Sequence, residues 1–328
     1  MNILIRLPNW LGDVIMATFA IESLYKTYKD SNFFLVGSKV SIQIFKNHKN
    51  TTLIEDDSKD SKCRILKLYK IAKSIPRSDI AITFQNNFLS ALFLSFNNAK
   101  IKIGYKNELR QFLLTHAKIK QKGIHEVFVY YDLVKDMVEN IQPKLYLQNP
   151  NKPINLPQGK LAGINAGAAF GSAKRWEESY FAEVANYLLD NNYSILLFGS
   201  NNEINIANNI ESMCKDKILN LAGQTTLEEL ITYISKLDLF ITNDSGPMHI
   251  AAAFNIPSVA IFGPTNDRET FPFSQNSHII SLKTLGYKLE CQPCKKRICP
   301  LKDLNYHSCM RDLKPKFIIE KIKSITKT

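Results

Sequence analysis

No apolar run in this 328-residue chain is long enough to cross a bilayer. The longest early run, Val14 to Ile21, is interrupted by Thr18 and preceded by Asp13, whereas a spanning helix needs about 20 mostly apolar residues. No small-residue cleavage site follows a charged leading segment, so the protein is expected to stay in the cytoplasm. Glycine and proline, 13 of each, are too scarce for a collagen-like or low-complexity chain. Gly-x-Gly-x-x-Gly is absent. Nor does Gly167-x3-Gly171-x2-Lys174 make a P-loop, because the spacing is wrong and Arg175, not Ser or Thr, follows the lysine. Acidic residues are in deficit, 30 against 42 Lys and Arg, which leaves a net charge of +12.

That excess calls for a nucleic acid, an anionic membrane surface or a phosphorylated partner. It is concentrated. Lys100, Lys102, Lys106, Arg110, Lys118, Lys120 and Lys122 face the single acid Glu108, and Lys295, Lys296, Arg297 and Lys302 form a second cluster. Neither stretch interleaves aromatics as a base-stacking platform would, so no nucleic acid is expected. A phosphorylated or membrane-borne partner fits better.

Hydrophobic residues make up 45% of the chain, enough for a large core, which excludes global disorder. The length favours two domains. Strand-like segments at Asn2–Arg6, Phe33–Val36, Asp79–Thr83 and Ile101–Gly104 alternate with helical ones at Val14–Tyr28, Val40–Phe45 and Phe88–Phe96. Pro143, Pro150, Pro153 and Pro157 then mark a linker within Gln142–Gly159. The alternation restarts with strands at Leu161–Asn165, Ser194–Phe198, Leu239–Thr242 and Ser258–Phe262. The expected class is therefore α/β, with one doubly wound parallel domain over 1–150 and a second over 151–328. The last helix is expected to pack back on the first domain. Ligands of such sheets bind beyond the carboxyl ends of the strands, in the cleft two such domains would leave between them.

Three post-strand loops carry the informative residues. Leu7-Pro-Asn-Trp-Leu-Gly-Asp13 follows the first strand, with Gly12 for a tight turn and Asp13 at the helix start, either as an N-cap or as a carboxylate kept ionised by the helix dipole. Asn165-Ala-Gly-Ala-Ala-Phe-Gly-Ser-Ala-Lys-Arg-Trp176 combines small residues with Lys174 and Arg175, which suits phosphate. Thr242-Asn-Asp-Ser-Gly-Pro-Met-His249 reads as a helix N-terminus: Asp244 or Ser245 caps, Gly246 bares the backbone, Pro247 opens the helix, and His249 follows one turn in. Phe262-Gly-Pro-Thr265 adds a strand-end loop beside it. Finally, Cys291-x2-Cys294-x4-Cys299-x9-Cys309 has the density of a zinc framework but no standard finger spacing. Reduced structural thiols are the first expectation there, and Cys63 and Cys214 read as core residues.

Taken together, Leu-Pro-Asn-Trp-Leu-Gly-Asp, Gly-Ala-x-Phe-Gly-x-Ala-Lys-Arg-Trp, Asn-Asp-Ser-Gly-x-x-His and Cys-x-Pro-Cys-x-x-Arg-x-Cys-Pro resemble the ADP-heptose:lipopolysaccharide heptosyltransferases of glycosyltransferase family 9, nearest the heptosyltransferase II branch. The resemblance implies a GT-B architecture, two Rossmann-like domains facing a central cleft, with acceptor on the first and nucleotide sugar on the second. It implies an inverting transfer of L-glycero-D-manno-heptose from ADP-heptose to the first heptose of a Kdo-lipid A acceptor, without a metal or other cofactor; no strict Asp-x-Asp string occurs. Carried over residue by residue, it makes Asp13 the catalytic base. Lys174, Asp244, Ser245, Gly246 and His249 become donor contacts, and Glu203, after Phe198-Gly-Ser200, becomes the acidic one. Lys118, Lys120 and Lys122 are expected to meet the acceptor at the inner face of the inner membrane. The rivals are heptosyltransferase I or another nucleotide-sugar transferase and, from other classes, a nucleotide-sugar epimerase or a nonenzymatic nucleotide-binding protein.

Overall fold

The computed structural model describes residues 1–326, and of residue 108 the backbone alone. The chain divides into two compact units, Met1–Gln148 and the remainder from Asn149. The first holds a six-stranded sheet of β1 (Asn2–Arg6), β2 (Asn32–Gly37), β3 (Thr51–Glu55), β4 (Ile80–Thr83), β5 (Ile101–Tyr105) and β6 (His116–Lys118). Its order is β3-β2-β1-β4-β5-β6 with every pair parallel. Helices cover both faces of such a sheet, so its central strands are apolar on both sides. Ile3, Leu4 and Ile5 are fully buried accordingly.

The second unit repeats the plan with β7 (Lys160–Asn165), β8 (Tyr193–Phe198), β9 (Leu219–Asn220), β10 (Leu239–Asn243), β11 (Ser258–Ile261) and β12 (Ser277–Ile280). The order is β12-β11-β10-β7-β8-β9, again all parallel. Both sheets thus have the doubly wound Rossmann order. In each, the winding reverses between the first and fourth strands, β1 and β4 in one unit and β7 and β10 in the other. A crevice opens at such a reversal because the two connections leave in opposite directions. The three loops singled out above follow β1, β7 and β10.

Several details differ from the sequence reading. The first helix runs Leu11–Thr27, so Gly12 and Asp13 lie inside its first turn and Trp10 takes the N-cap. Asp13 is therefore not a cap. The linker is held at both ends: Tyr146 N donates to Thr18 Oγ1 (3.0 Å) in the first unit, and Asn149 Nδ2 to Ser235 Oγ (2.7 Å) in the second. The last helix, Pro315–Thr326, was expected to return to the first domain, yet its apolar face, Ile318 and Ile322, lies in the second unit's own core with Phe181 and Val184. Cys63 is exposed and Cys214 half-buried, so neither is a fully buried core residue.

Candidate active site

In the first unit, hydrogen bonds from the segments that follow β2 and β4 fix the loop after β1. Ser41 Oγ donates to Pro8 O (2.6 Å), and Gln85 Nε2, just past β4, donates to Leu7 O (2.7 Å) and Asn9 Oδ1 (3.1 Å). Arg110 secures the Gln85 loop in turn, its Nη1 donating to Gln85 O (2.8 Å) and Asn86 Oδ1 (2.9 Å). A residue that counted as surface charge in the sequence is thus fully buried and structural.

This scaffold presents Asp13 half-exposed in the first helical turn. Trp10 supplies no side-chain cap, and the amides of that turn favour negative charge beside them. The Tyr130 phenol, on the helix Glu126–Asp132, interacts with Asp13. Burial first, and the Asp13 charge second, push that phenol well above its ordinary value, so at neutral pH it is protonated. Sequence reasoning missed Gln85 and Tyr130. The helix of Tyr130, Glu-Val-Phe-Val-Tyr-Tyr-Asp, is rich in β-branched and aromatic residues and does not read as helical.

In the second unit the loops after β7 and β10 interlock. Asn243, fully buried, donates from Nδ2 to Ala166 O (2.6 Å) and accepts from Trp176 N at Oδ1 (3.2 Å), so it spans both ends of the first loop. Asn165 Nδ2 donates to Ser245 Oγ (3.0 Å). Ser245 occupies the N-cap of the helix Gly246–Ala253 but makes no side-chain cap bond. Asp244 does not cap either. Its Oδ2 lies 2.6 Å from Lys174 Nζ and accepts from Thr265 Oγ1 (2.5 Å). The expected cap is therefore absent, and what remains is a helix start whose first amides suit an anion, beside a held ammonium. Gly246 opens that turn, and His249 follows it, buried. Lys174 also lies over the Phe170 ring, 4.9 Å from its centroid.

Glu203 has a local job. Its Oε2 accepts from Ser200 N and Ser200 Oγ, both at 2.8 Å, which forms a capping box at the turn after β8. Its carboxylate also lies against the loop after β7: a Cβ on Gly167 would stand 2.2 Å from it.

Three of the seven cations in the basic stretch of the first unit are paired in three dimensions. Lys100 pairs with Asp79 (2.7 Å), Lys118 with Asp136 (2.6 Å) and Lys120 with Glu126 (2.8 Å), while Lys122 is exposed. The acids come from segments outside residues 100–122, which is why counting along the sequence overstated the patch.

The cysteine-rich segment holds free thiols, and among the described residues no three His, Cys, Asp or Glu side chains form a group that could hold a metal ion. The segment straps the loops after β7 and β11. Ala173 N donates to Arg297 O (3.0 Å), Lys295 N to Pro264 O (2.7 Å) and Gln292 Nε2 to Gly263 O (2.7 Å). Burial pushes the Cys309 thiol up to about 12.

Comparison with known proteins gives the family. Residues 68–305 match the family described as glycosyltransferase family 9 (heptosyltransferase). The chain is 36% identical to lipooligosaccharide heptosyltransferase 2 of Campylobacter jejuni serotype O:6, over 99% of each chain. It is 28% identical to lipopolysaccharide heptosyltransferase 2 of Escherichia coli K12, over 99% of this chain and 98% of the relative. The solved E. coli ADP-heptose lps heptosyltransferase II superposes with a TM-score of 0.79 at 25% identity, covering 99% of this chain and 98% of that one.

Proposed function

The chain belongs to glycosyltransferase family 9, the heptosyltransferases, and is a lipopolysaccharide heptosyltransferase of the second kind in a GT-B fold; we propose how its residues carry out the transfer. The donor is ADP-heptose and the acceptor is the first heptose of the lipopolysaccharide inner core. Asp13 takes the proton from an acceptor hydroxyl. The freed oxygen attacks the anomeric carbon from the face opposite the diphosphate, the carbon–phosphate-oxygen bond breaks, and ADP departs with the electron pair, so the configuration inverts. Lys174 and the first amides of the helix at Gly246 meet the charge that grows on the leaving diphosphate, and such fixed charge is commonly the largest catalytic term. Asp244 holds Lys174 in place, while Ser245 and His249 line the same turn. Glu203 shapes the donor loop through Gly167. With these charges supplied by the chain, no metal or cofactor is proposed.

The acceptor carries phosphates and a lipid anchor. Lys122, joined by Lys118 and Lys120 exchanging their surface acids, draws it in, and the same lysines favour peripheral contact with an anionic membrane face. No helix among the described residues is long and apolar enough to cross a membrane.

One observation carries the donor reading: a nearly buried ammonium–carboxylate pair beside a helix start without a side-chain cap, both at the reversal of the second sheet. The test is to incubate the protein with ADP-heptose and core lipid bearing one heptose, with and without EDTA. Mass spectrometry should show one added heptose and equimolar ADP in both. An interconverted nucleotide sugar with unchanged lipid would instead make the protein an epimerase. Activity lost with EDTA and restored by a divalent metal would overturn the metal-free mechanism.

A further inference from the structure

The basic cluster near the C-terminus has no part in the reading above, yet the fold brings one member of it to the donor-side loops. Phe170 lies in the loop after β7, four residues before Lys174. The Arg297 guanidinium sits over the same ring, 5.3 Å from its centroid, where Lys174 Nζ is at 4.9 Å. Two cations therefore share one aromatic platform.

The backbone makes this placement firm. Arg297 O accepts from Ala173 N at 3.0 Å, and a Cβ on Gly171 would stand 2.2 Å from that oxygen, so the segment can dock this closely only against glycine. Two residues earlier, Lys295 N donates to Pro264 O (2.7 Å), which ties the segment to the loop bearing Thr265, the partner of Asp244. The origin of the Arg297 side chain is thus fixed from two sides, and the side chain itself is exposed. Two cations brought to one ring suit a ligand with several negative charges. A guanidinium presents its donors in a planar fork that matches two phosphate oxygens, which a lysine cannot do.

We infer that Arg297 is a second cationic contact for the diphosphate of the donor, delivered by the cysteine-rich segment acting as a strap. The inference rests on the donor reading of Lys174 given above. It also supplies a use for the four-cysteine segment that needs no metal.

Calorimetric titration of the full chain with ADP and with AMP tests it. Arg297→Gln should weaken ADP about ten- to hundredfold, the range of a charge-assisted hydrogen bond, and leave AMP within about twofold. Arg297→Lys should recover part of the loss. Because Arg297 holds the strap through its backbone, the melting temperature of the Gln variant should stay at the native value, and Lys302→Gln should bind ADP normally. Native ADP affinity in Arg297→Gln, while Lys174→Gln loses it, would overturn this inference alone. Equal losses for ADP and AMP would also overturn it, since the contact would not be with the terminal phosphate. Native affinity in both variants would remove the donor reading itself.

Discussion

Lys174 Nζ and Asp244 Oδ2 lie 2.6 Å apart with only 12% and 5% of their side chains exposed. One comes from the loop after β7 and the other from the loop after β10, so the pair closes the reversal of the second sheet. A buried ion is costly without its partner, about 3–5 kcal/mol when one side is deleted. Asp244→Ala should therefore lower unfolding stability by that order and weaken ADP, since Lys174 and Thr265 lose their common anchor. Lys174→Gln should abolish most of the thermal stabilisation that ADP confers on the native protein. Denaturant melts with and without ADP read both effects, and native behaviour of either variant would count against the pairing.

Asp13→Asn should lower transfer about 10²–10⁴-fold, as expected for a lost general base. ADP affinity should change little, because the loops proposed to hold the donor are built within the second unit. Undiminished turnover by the Asn variant would take Asp13 out of the chemistry.

The sequence made the strands at both reversals legible because they are short continuous apolar runs, Ile3 to Ile5 and Leu239 to Ile241 among them. It also marked the loops that follow them, where Gly, Pro and Asp cluster for reasons of backbone geometry. What it hid was three-dimensional pairing. Nothing local says that Arg110 is buried under Gln85, or that Asp79 and Asp136 neutralise Lys100 and Lys118. Strand β6, His-Ala-Lys, was missed because an edge strand need not alternate apolar residues, and the helix bearing Tyr130 because its composition favours strand. Asn243 was in plain view within a quoted motif, but its span from Ala166 to Trp176 depends on strand neighbours distant in the chain.

Gly167→Ala should destabilise through Glu203. The added carbon would stand 2.2 Å from the Glu203 carboxylate, which cannot retreat without leaving Ser200 N and Oγ. Loss of that box should cost about 0.5–2 kcal/mol. Combining Gly167→Ala with Glu203→Ala should cost less than the two separately. Additive melting data would mean the two residues are not coupled.

Alkaline pH should destabilise the protein partly through Cys309. Burial raises its thiol from 9.0 to about 12 in the folded state. Between those values the unfolded chain has released a proton that the native state retains. The stabilisation is therefore whole below pH 9 and is lost as pH rises towards 12. Melting temperature followed from pH 8 upward should fall less steeply in Cys309→Ala than in the native protein. Parallel slopes would show that this thiol does not titrate differently on folding.

The lysines of the first unit decide between a docking surface and a neutral one. Lys118 and Lys120 are paired, each pair having one exposed member, Asp136 at 71% and Lys120 at 39%, and one half-buried member, Lys118 at 23% and Glu126 at 18%, and ion pairs open to solvent contribute only about 0–1 kcal/mol. An anionic acceptor docking there would have to displace these acids, at a cost of that order. Each lysine near an anionic surface is worth on the order of 1 kcal/mol before that cost is deducted. Replacing Lys118, Lys120 and Lys122 together by Gln should raise the acceptor KM about tenfold and leave the donor KM flat. Salt should raise the acceptor KM of the native enzyme more steeply than that of the triple variant, because exposed charges are the ones it screens. Lys122→Gln alone should produce the largest single effect, since its charge has no acid to release first among the ion pairs described. Equal salt dependence in native and triple variant would mean that Asp136 and Glu126 keep their lysines, and that the acceptor is bound elsewhere.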